Sequence, residues 1–159
     1  MAQEGAAQPP PHSKSRYSKG DTYRRNRRET KFDIPEMAHK LKHEVAKYCM
    51  NEKYVPKRWR YIDGKPAIDY AAKIREAVII ANEIPLDTAH IKIRENYQQT
   101  ALSYCHLLEL QLMDIAEECD GATHDNLHNV TDSLNTLYSR IKRWKQSDSK
   151  RPKDENPGP

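Results

Sequence analysis

Between about residues 33 and 146, apolar residues recur every three or four positions, and nowhere do they alternate with polar ones over a sustained run. A period near 3.6 marks an amphipathic helix, so every predicted element is helical. Ile34, Met37, Leu41, Val45 and Tyr48 draw one face of a first helix that runs to about Glu52. It opens at "DIPE". Asp33 is the expected N-cap, Pro35 sits just inside, and Glu36 completes what resembles a capping box. A second helix is clear from Ala67 to Glu83, with Ile68, Ala71, Ala72, Ile74, Val78, Ile79 and Ala81 on a wide apolar side. Its start is open: either "DGKP" caps it with Pro66 in the first turn, or it begins near Arg58 and kinks at Gly64–Pro66.

"PLDT" ends the second helix and starts a long third one, with Asp87 or Thr88 as cap. Its apolar positions are Tyr97, Ala101, Tyr104, Leu108, Leu112, Ile115 and Cys119, and Leu107 and Leu110 widen the stripe. It stops at "DGAT", where Gly121 is expected to take the left-handed conformation that follows many helix ends. The fourth helix is the most regular. Leu127, Val130, Leu134, Leu137, Ile141 and Trp144 step by 3, 4, 3, 4, 3, a heptad seam, with Thr123 or Asp125 as cap. Four helices with short connections predict an all-α fold, an antiparallel up-down-up-down four-helix bundle over residues 33–146. The apolar sides of the second and third helices are wider than one seam requires, which predicts contacts between copies of the chain.

The flanks differ from this body. Residues 1–32 contain a proline triplet, eight Lys/Arg and three acids, a net +5 against +4 for the whole chain of 159 residues. The body is therefore close to neutral. A segment with so little to bury cannot offset its chain entropy, so 1–32 is expected to be a disordered basic tail and 147–159 a second, short disordered tail. A basic tail attracts phosphates through counterion release without needing a fold. Cys49, Cys105 and Cys119 have no paired spacing and fall among apolar neighbours, so they read as reduced core residues. No apolar run has the length of a membrane span, and the first residues lack the apolar segment of a secretory signal. A cytoplasmic protein with no membrane partner is expected.

Residues able to carry chemistry are few. His39/His43 and His124/His128 stand at i, i+4, the spacing of metal ligands on one helix face, but neither pair has the glutamate of the zinc-protease motif. They read as polar helix faces, and no metal or cofactor is expected. Cys105 and His106 are neighbours that diverge by about 100° on a helix, so they cannot act together as nucleophile and base. Asp114, Glu117, Glu118 and Asp120 read as a solvated helix end. There is no phosphate-binding glycine loop and no nucleophile elbow, and an enzyme is not expected.

The cations are more telling. "KYVPKRWRYIDG" (53–64) brings Lys53, Lys57, Arg58 and Arg60 together with Tyr54, Trp59 and Tyr61. The last helix carries Arg140, Lys142, Arg143 and Lys145, and the N-terminal tail carries Arg24, Arg25, Arg27 and Arg28. Cations interleaved with aromatics suit a nucleic acid, since aromatic rings stack on exposed bases. In an up-down bundle the tails meet at one end and the 53–64 loop lies at the other, making two basic regions.

The order "VPKRWRY", then "AVIIAN" (Ala77–Asn82), then a long third helix, then "SRIKRW" (Ser139–Trp144), resembles the Avd-like four-helix-bundle proteins. These are the accessory variability determinants of diversity-generating retroelements, related to the bundle proteins encoded by intervening sequences in large-subunit ribosomal RNA genes. The resemblance covers roughly residues 34–146. It implies a non-enzymatic subunit, a homopentamer, that binds a reverse transcriptase and its template RNA and supports cDNA synthesis. Lys57 and Arg58 match the family's basic loop and Trp144 its terminal helix. Three alternatives stand beside this reading: a bundle that only binds other proteins, an intervening-sequence-type bundle with no reverse transcriptase partner, and a small hydrolase or metalloenzyme using the histidine pairs.

Overall fold

The computed structural model describes residues 33–150, and among these there is no strand. Four long helices carry the fold: α1 (Ile34–Cys49), α2 (Lys65–Glu83), α3 (Ile91–Glu118) and α4 (His124–Lys150). Each packs on the next, and α1 also packs on α4.

Asp33 stands at the N-cap of α1, and its carbonyl accepts the Met37 amide at 2.8 Å. Its carboxylate makes no capping bond, so the expected capping box does not form. Asp33 has near-helical backbone angles (φ −97°, ψ 1°) rather than the extended ones that aim a side chain at the first turn. Pro35, in that turn, has no amide to offer.

Of the two starts considered for the second helix, the earlier is seen. Pro56 opens a helical turn, Lys57–Trp59, which passes through a π turn, Arg60–Gly64, into α2. The Lys65 amide reaches back five residues to the Arg60 carbonyl. Pro66 explains the widened turn: its ring would crowd the carbonyl four residues back, and it donates no bond of its own. Gly64 lies flush against the end of α1, where an added Cβ would stand 3.4 Å from Cys49 Cβ.

Before α3, His90 rather than the expected Asp87 or Thr88 stands at the N-cap, and its side chain makes no capping bond; the Asp87 carboxylate accepts the His90 amide at 2.9 Å and closes the turn ahead of the helix, which begins at Ile91. After α3, Gly121 departs from expectation, because no glycine among the described residues has positive φ. Its need is steric. A Cβ at Gly121 would lie 1.9 Å from the Lys53 carbonyl oxygen, so glycine lets the α3–α4 loop press on the backbone of the α1–α2 loop. Asn126 then organises the start of α4. Its side chain accepts the Thr123 amide at 3.1 Å and the Tyr48 hydroxyl at 2.7 Å, and donates to the Gly121 carbonyl at 2.8 Å.

The core follows the seams with some exchanges. In α4, Leu127, Val130, Leu134, Leu137, Ile141 and Trp144 are all buried. In α3, Gln98 and Cys105 take core places expected for Tyr97 and Tyr104, which are half-buried; Tyr104 meets Tyr70 of α2 at 6.2 Å. In α2, Ala67, Ala71, Ala77 and Ala81 line the core with Ile74 and Val78, and such small residues let helices approach closely. The helix α4 also outruns expectation. It continues through residues 147–150, where a disordered tail is expected, and Asp148 is buried. Residues 1–32 and 151–159, and the tail expectations on them, lie outside the described residues.

Candidate nucleic-acid interface

Two groups of contacts fix the ends of the helices. At the loop end, Tyr48, Tyr54, Gly121 and Asn126 tie the end of α1 to the start of α4, and the Tyr48 and Tyr54 rings stack 4.9 Å apart. At the far end, Arg94 of α3 donates to Asp148 of α4 at 2.8 Å and to the carbonyls of Ala81 and Ile84, at the end of α2, at 3.0 and 2.7 Å. Gln98 adds a second bond to the same Asp148 oxygen at 2.7 Å, and the Arg94 guanidinium lies 5.0 Å from the Trp144 ring centroid. A buried carboxylate is tolerable only when so partnered.

The loop cations sit on the first scaffold. Val55 is fully buried and Trp59 packs half-buried against the core, so the segment is fixed by its apolar members. Lys53, Lys57 and Arg58 are exposed, and Tyr61 is 80% exposed. The Arg58 guanidinium lies 5.4 Å from the Trp59 ring. Arg60 differs from its neighbours. Its Nε donates to the Val55 carbonyl at 3.1 Å and its guanidinium lies 3.6 Å from Glu52. It closes the loop on itself rather than facing outward with Lys57 and Arg58. Asp63, in the π turn, is buried and accepts from Gln111 at 3.0 Å.

The cations of α4 sit near the far end. Arg140, Lys142 and Arg143 are exposed, and none has an ion-pair partner among the described residues. Lys145 donates to Gln99 of α3 at 2.7 Å. Arg140 and Arg143 share a shallow polar hollow with Asn135, Thr136 and Ser139. The described residues thus keep the loop and α4 groups apart, at opposite ends of α4, and Arg24, Arg25, Arg27 and Arg28 lie outside them. From Met113 to Ser139 there are six acids and no Lys or Arg, whereas residues 140–150 hold five cations and one acid, the buried Asp148.

Reactive groups are held quiet. Burial pushes the Cys49 and Cys105 thiols up to about 12 and raises Cys119 as well, so none is a ready thiolate. Burial also raises the Tyr48 hydroxyl. Cys105 faces the core while His106 is exposed, so the two are not partners. The His39/His43 rings meet edge to face at 4.6 Å, and His128 lies 3.3 Å from Asp132. Among the described residues, no group of three or more His, Cys, Asp or Glu is placed to hold a metal ion, and no helix is long and apolar enough to cross a membrane. No family model matches the chain, and no curated protein or solved structure matches it.

Proposed function

We propose that this chain is a non-enzymatic accessory subunit that binds nucleic acid. It is an up-down-up-down bundle that associates with copies of itself, a pentamer by resemblance, and serves a cytoplasmic reverse transcriptase and its template RNA. The observation that carries the reading is the unpaired state of Arg140 and Arg143, side by side along a stretch of α4 without exposed acid. Solubilising charges on helices commonly come in opposite-sign pairs at i, i+4, as Lys65 and Asp69 do here at 2.6 Å. Arg140 and Arg143, left unpaired on one face while Lys142 turns to the α3–α4 groove, keep their full charge for phosphates. Lys57, Arg58 and Tyr61 offer the same chemistry, with a ring for base stacking, at the loop end.

Binding of the full chain to a fluorescent single-stranded RNA, measured over a range of salt, tests this. The expected result is affinity that falls steeply and log-linearly with salt, with a shallower slope when Arg140 and Arg143 become Ala. No binding at low salt would refute the nucleic-acid reading and favour a bundle that docks an acidic protein. The exposed apolar residues of α3 give that second reading its own support.

A further inference from the structure

The outer face of α3 is not wholly polar. Leu107, Leu110 and Met113 are 40%, 44% and 54% exposed and sit three apart along the helix, Leu107 also lining the edge of the α3–α4 groove. The next turn carries Asp114, Glu117 and Glu118, all exposed and without an ion-pair partner among the described residues. This half of α3 therefore reads, from its middle to its end, as an apolar patch followed by acids. A second surface reads as its complement. Between α3 and α4 runs an open groove of about 1010 Å³. Its apolar part holds Leu102, Leu134 and Tyr138, the last 39% exposed, and its continuation holds Lys142, Lys145 and Lys150. From Tyr138 to Lys150 is 12 residues, about 18 Å of helix, and from Leu110 to Glu118 is about 12 Å. The groove is long enough to take the patch and its acids together.

We infer that two copies of this chain join head to tail, the Leu110–Met113 patch and acidic end of α3 on one copy seating against Tyr138 and the lysines of the α3–α4 groove on the next. This rests on the self-association proposed above and names its two surfaces. Two observations favour a second copy over other occupants. The groove has an apolar floor, which RNA phosphates do not use, and the matching acidic, apolar helix is present on the same molecule. The two surfaces differ, so the contact is heterologous and a joined pair keeps one unused surface of each kind for further joining. Apolar contact supplies the attraction, and the charges set direction, since in the reverse orientation the acids would leave the lysines and meet Glu109, which lines the groove.

The test uses the full chain and charge reversal at exposed positions, which leaves the fold alone. Lys142→Glu with Lys150→Glu disables the groove, and Glu117→Lys with Glu118→Lys disables the acidic end. Sedimentation at micromolar concentration is expected to show assemblies for the unaltered chain. Each double variant by itself is expected to associate at least about tenfold more weakly, with an unchanged helical circular-dichroism signal. An equal mixture of the two is expected to regain assemblies, because the intact α3 end of one meets the intact groove of the other and the two reversed surfaces are again of opposite charge. A monomeric unaltered chain, a mixture that stays monomeric, or variants that assemble like the unaltered chain would each overturn the inference. RNA binding is read on the same samples. An unaltered chain that stays monomeric and binds RNA with a steep salt slope refutes the head-to-tail contact and leaves the nucleic-acid reading standing; an unaltered chain that assembles and ignores RNA does the reverse.

Discussion

Arg94 and Asp148 are 54 residues apart in sequence and 2.8 Å apart in space, and together they lock the last turn of α4 to the start of α3. The Arg94 guanidinium serves three further groups at once: the carbonyls of Ala81 and Ile84, and the face of Trp144. Its side chain is 11% exposed and that of Asp148 2%. Coulomb attraction at such a site is strong, but so is the cost of desolvating both charges, and the pair is stable only as a pair.

Asp148→Ala is therefore expected to destabilise the fold by about 3 kcal/mol or more, because it leaves a buried guanidinium unpaired. Urea unfolding followed by circular dichroism reads this directly. Replacing both residues, Arg94→Met with Asp148→Leu, is expected to cost less than Asp148→Ala alone. If the double variant is instead the least stable of the set, the carbonyl bonds of Arg94 rather than the ion pair hold the far end.

Gly121 and Gly64 make a matched pair of opposite sign. Gly121→Ala pushes a methyl group into the Lys53 carbonyl, 1.9 Å from where the Cβ would stand, and one loop backbone has to move. A loss of about 2–3 kcal/mol is expected, in line with overpacking. Gly64 has helical angles (φ −64°, ψ −45°), and its added Cβ meets Cys49 Cβ at 3.4 Å. Gly64→Ala is expected to be neutral or to stabilise by up to about 1 kcal/mol, since alanine loses less backbone freedom in a helix. Thermal unfolding of the two variants side by side separates close approach from propensity.

The same two glycines show how far the sequence can be read. Gly121 was legible as a required glycine but for the wrong cause, because its partner, the Lys53 carbonyl, comes from a loop 68 residues earlier. The helices were legible because burial imposes a period on each. Asp148 was hidden by its charge, yet it continues the α4 seam, Ile141, Trp144, Asp148, in steps of 3 and 4. Gln98 likewise stands on the α3 seam three residues before Ala101. A polar residue on a seam position is the available signal for a buried network, and Arg94, four residues before Gln98 on the same seam, carries it too. For the interface, exposure of Lys57 and Arg58 followed from charge, but the inward turn of Arg60 depends on the Val55 carbonyl and had no mark in the sequence.

Alkaline pH is expected to unfold the protein. The Cys49 and Cys105 thiols stand at about 12 in the fold against an ordinary 9.0, so the folded chain holds protons that the unfolded chain gives up. Stability then falls as pH rises, with the full contribution present below about pH 9 and lost progressively toward pH 12. The slope is about 1.4 kcal/mol per pH unit for each thiol. Urea midpoints at pH 7, 9 and 10.5 are expected to coincide for the first two and drop at the third. Cys105→Ala starts from a lower stability because it opens a cavity, but its drop between pH 9 and 10.5 is expected to be smaller than that of the unaltered chain. A profile flat to pH 11 would contradict the burial of these thiols.

In the loop at residues 53–64, anchoring and the proposed binding can be tested apart, residue by residue. Lys57 and Arg58 are exposed and bear little on the fold, so changing both to Ala is expected to alter stability by no more than about 0.5 kcal/mol. RNA affinity is expected to fall about tenfold or more, at roughly 1 kcal/mol for each bond from a cation to a phosphate that the change removes, with a shallower salt slope. Arg60→Ala is expected to do the opposite. It removes the bond to the Val55 carbonyl and costs about 1 kcal/mol of stability, while binding by the folded protein holds close to that of the unaltered chain. Trp59→Ala is expected to cost about 2 kcal/mol, less than a fully buried ring because Trp59 is only half-buried. Each variant needs two measurements, thermal unfolding and RNA binding at two salt concentrations. If the Lys57→Ala, Arg58→Ala chain binds RNA with the affinity and salt slope of the unaltered protein, the loop is a turn and the nucleic acid is held elsewhere.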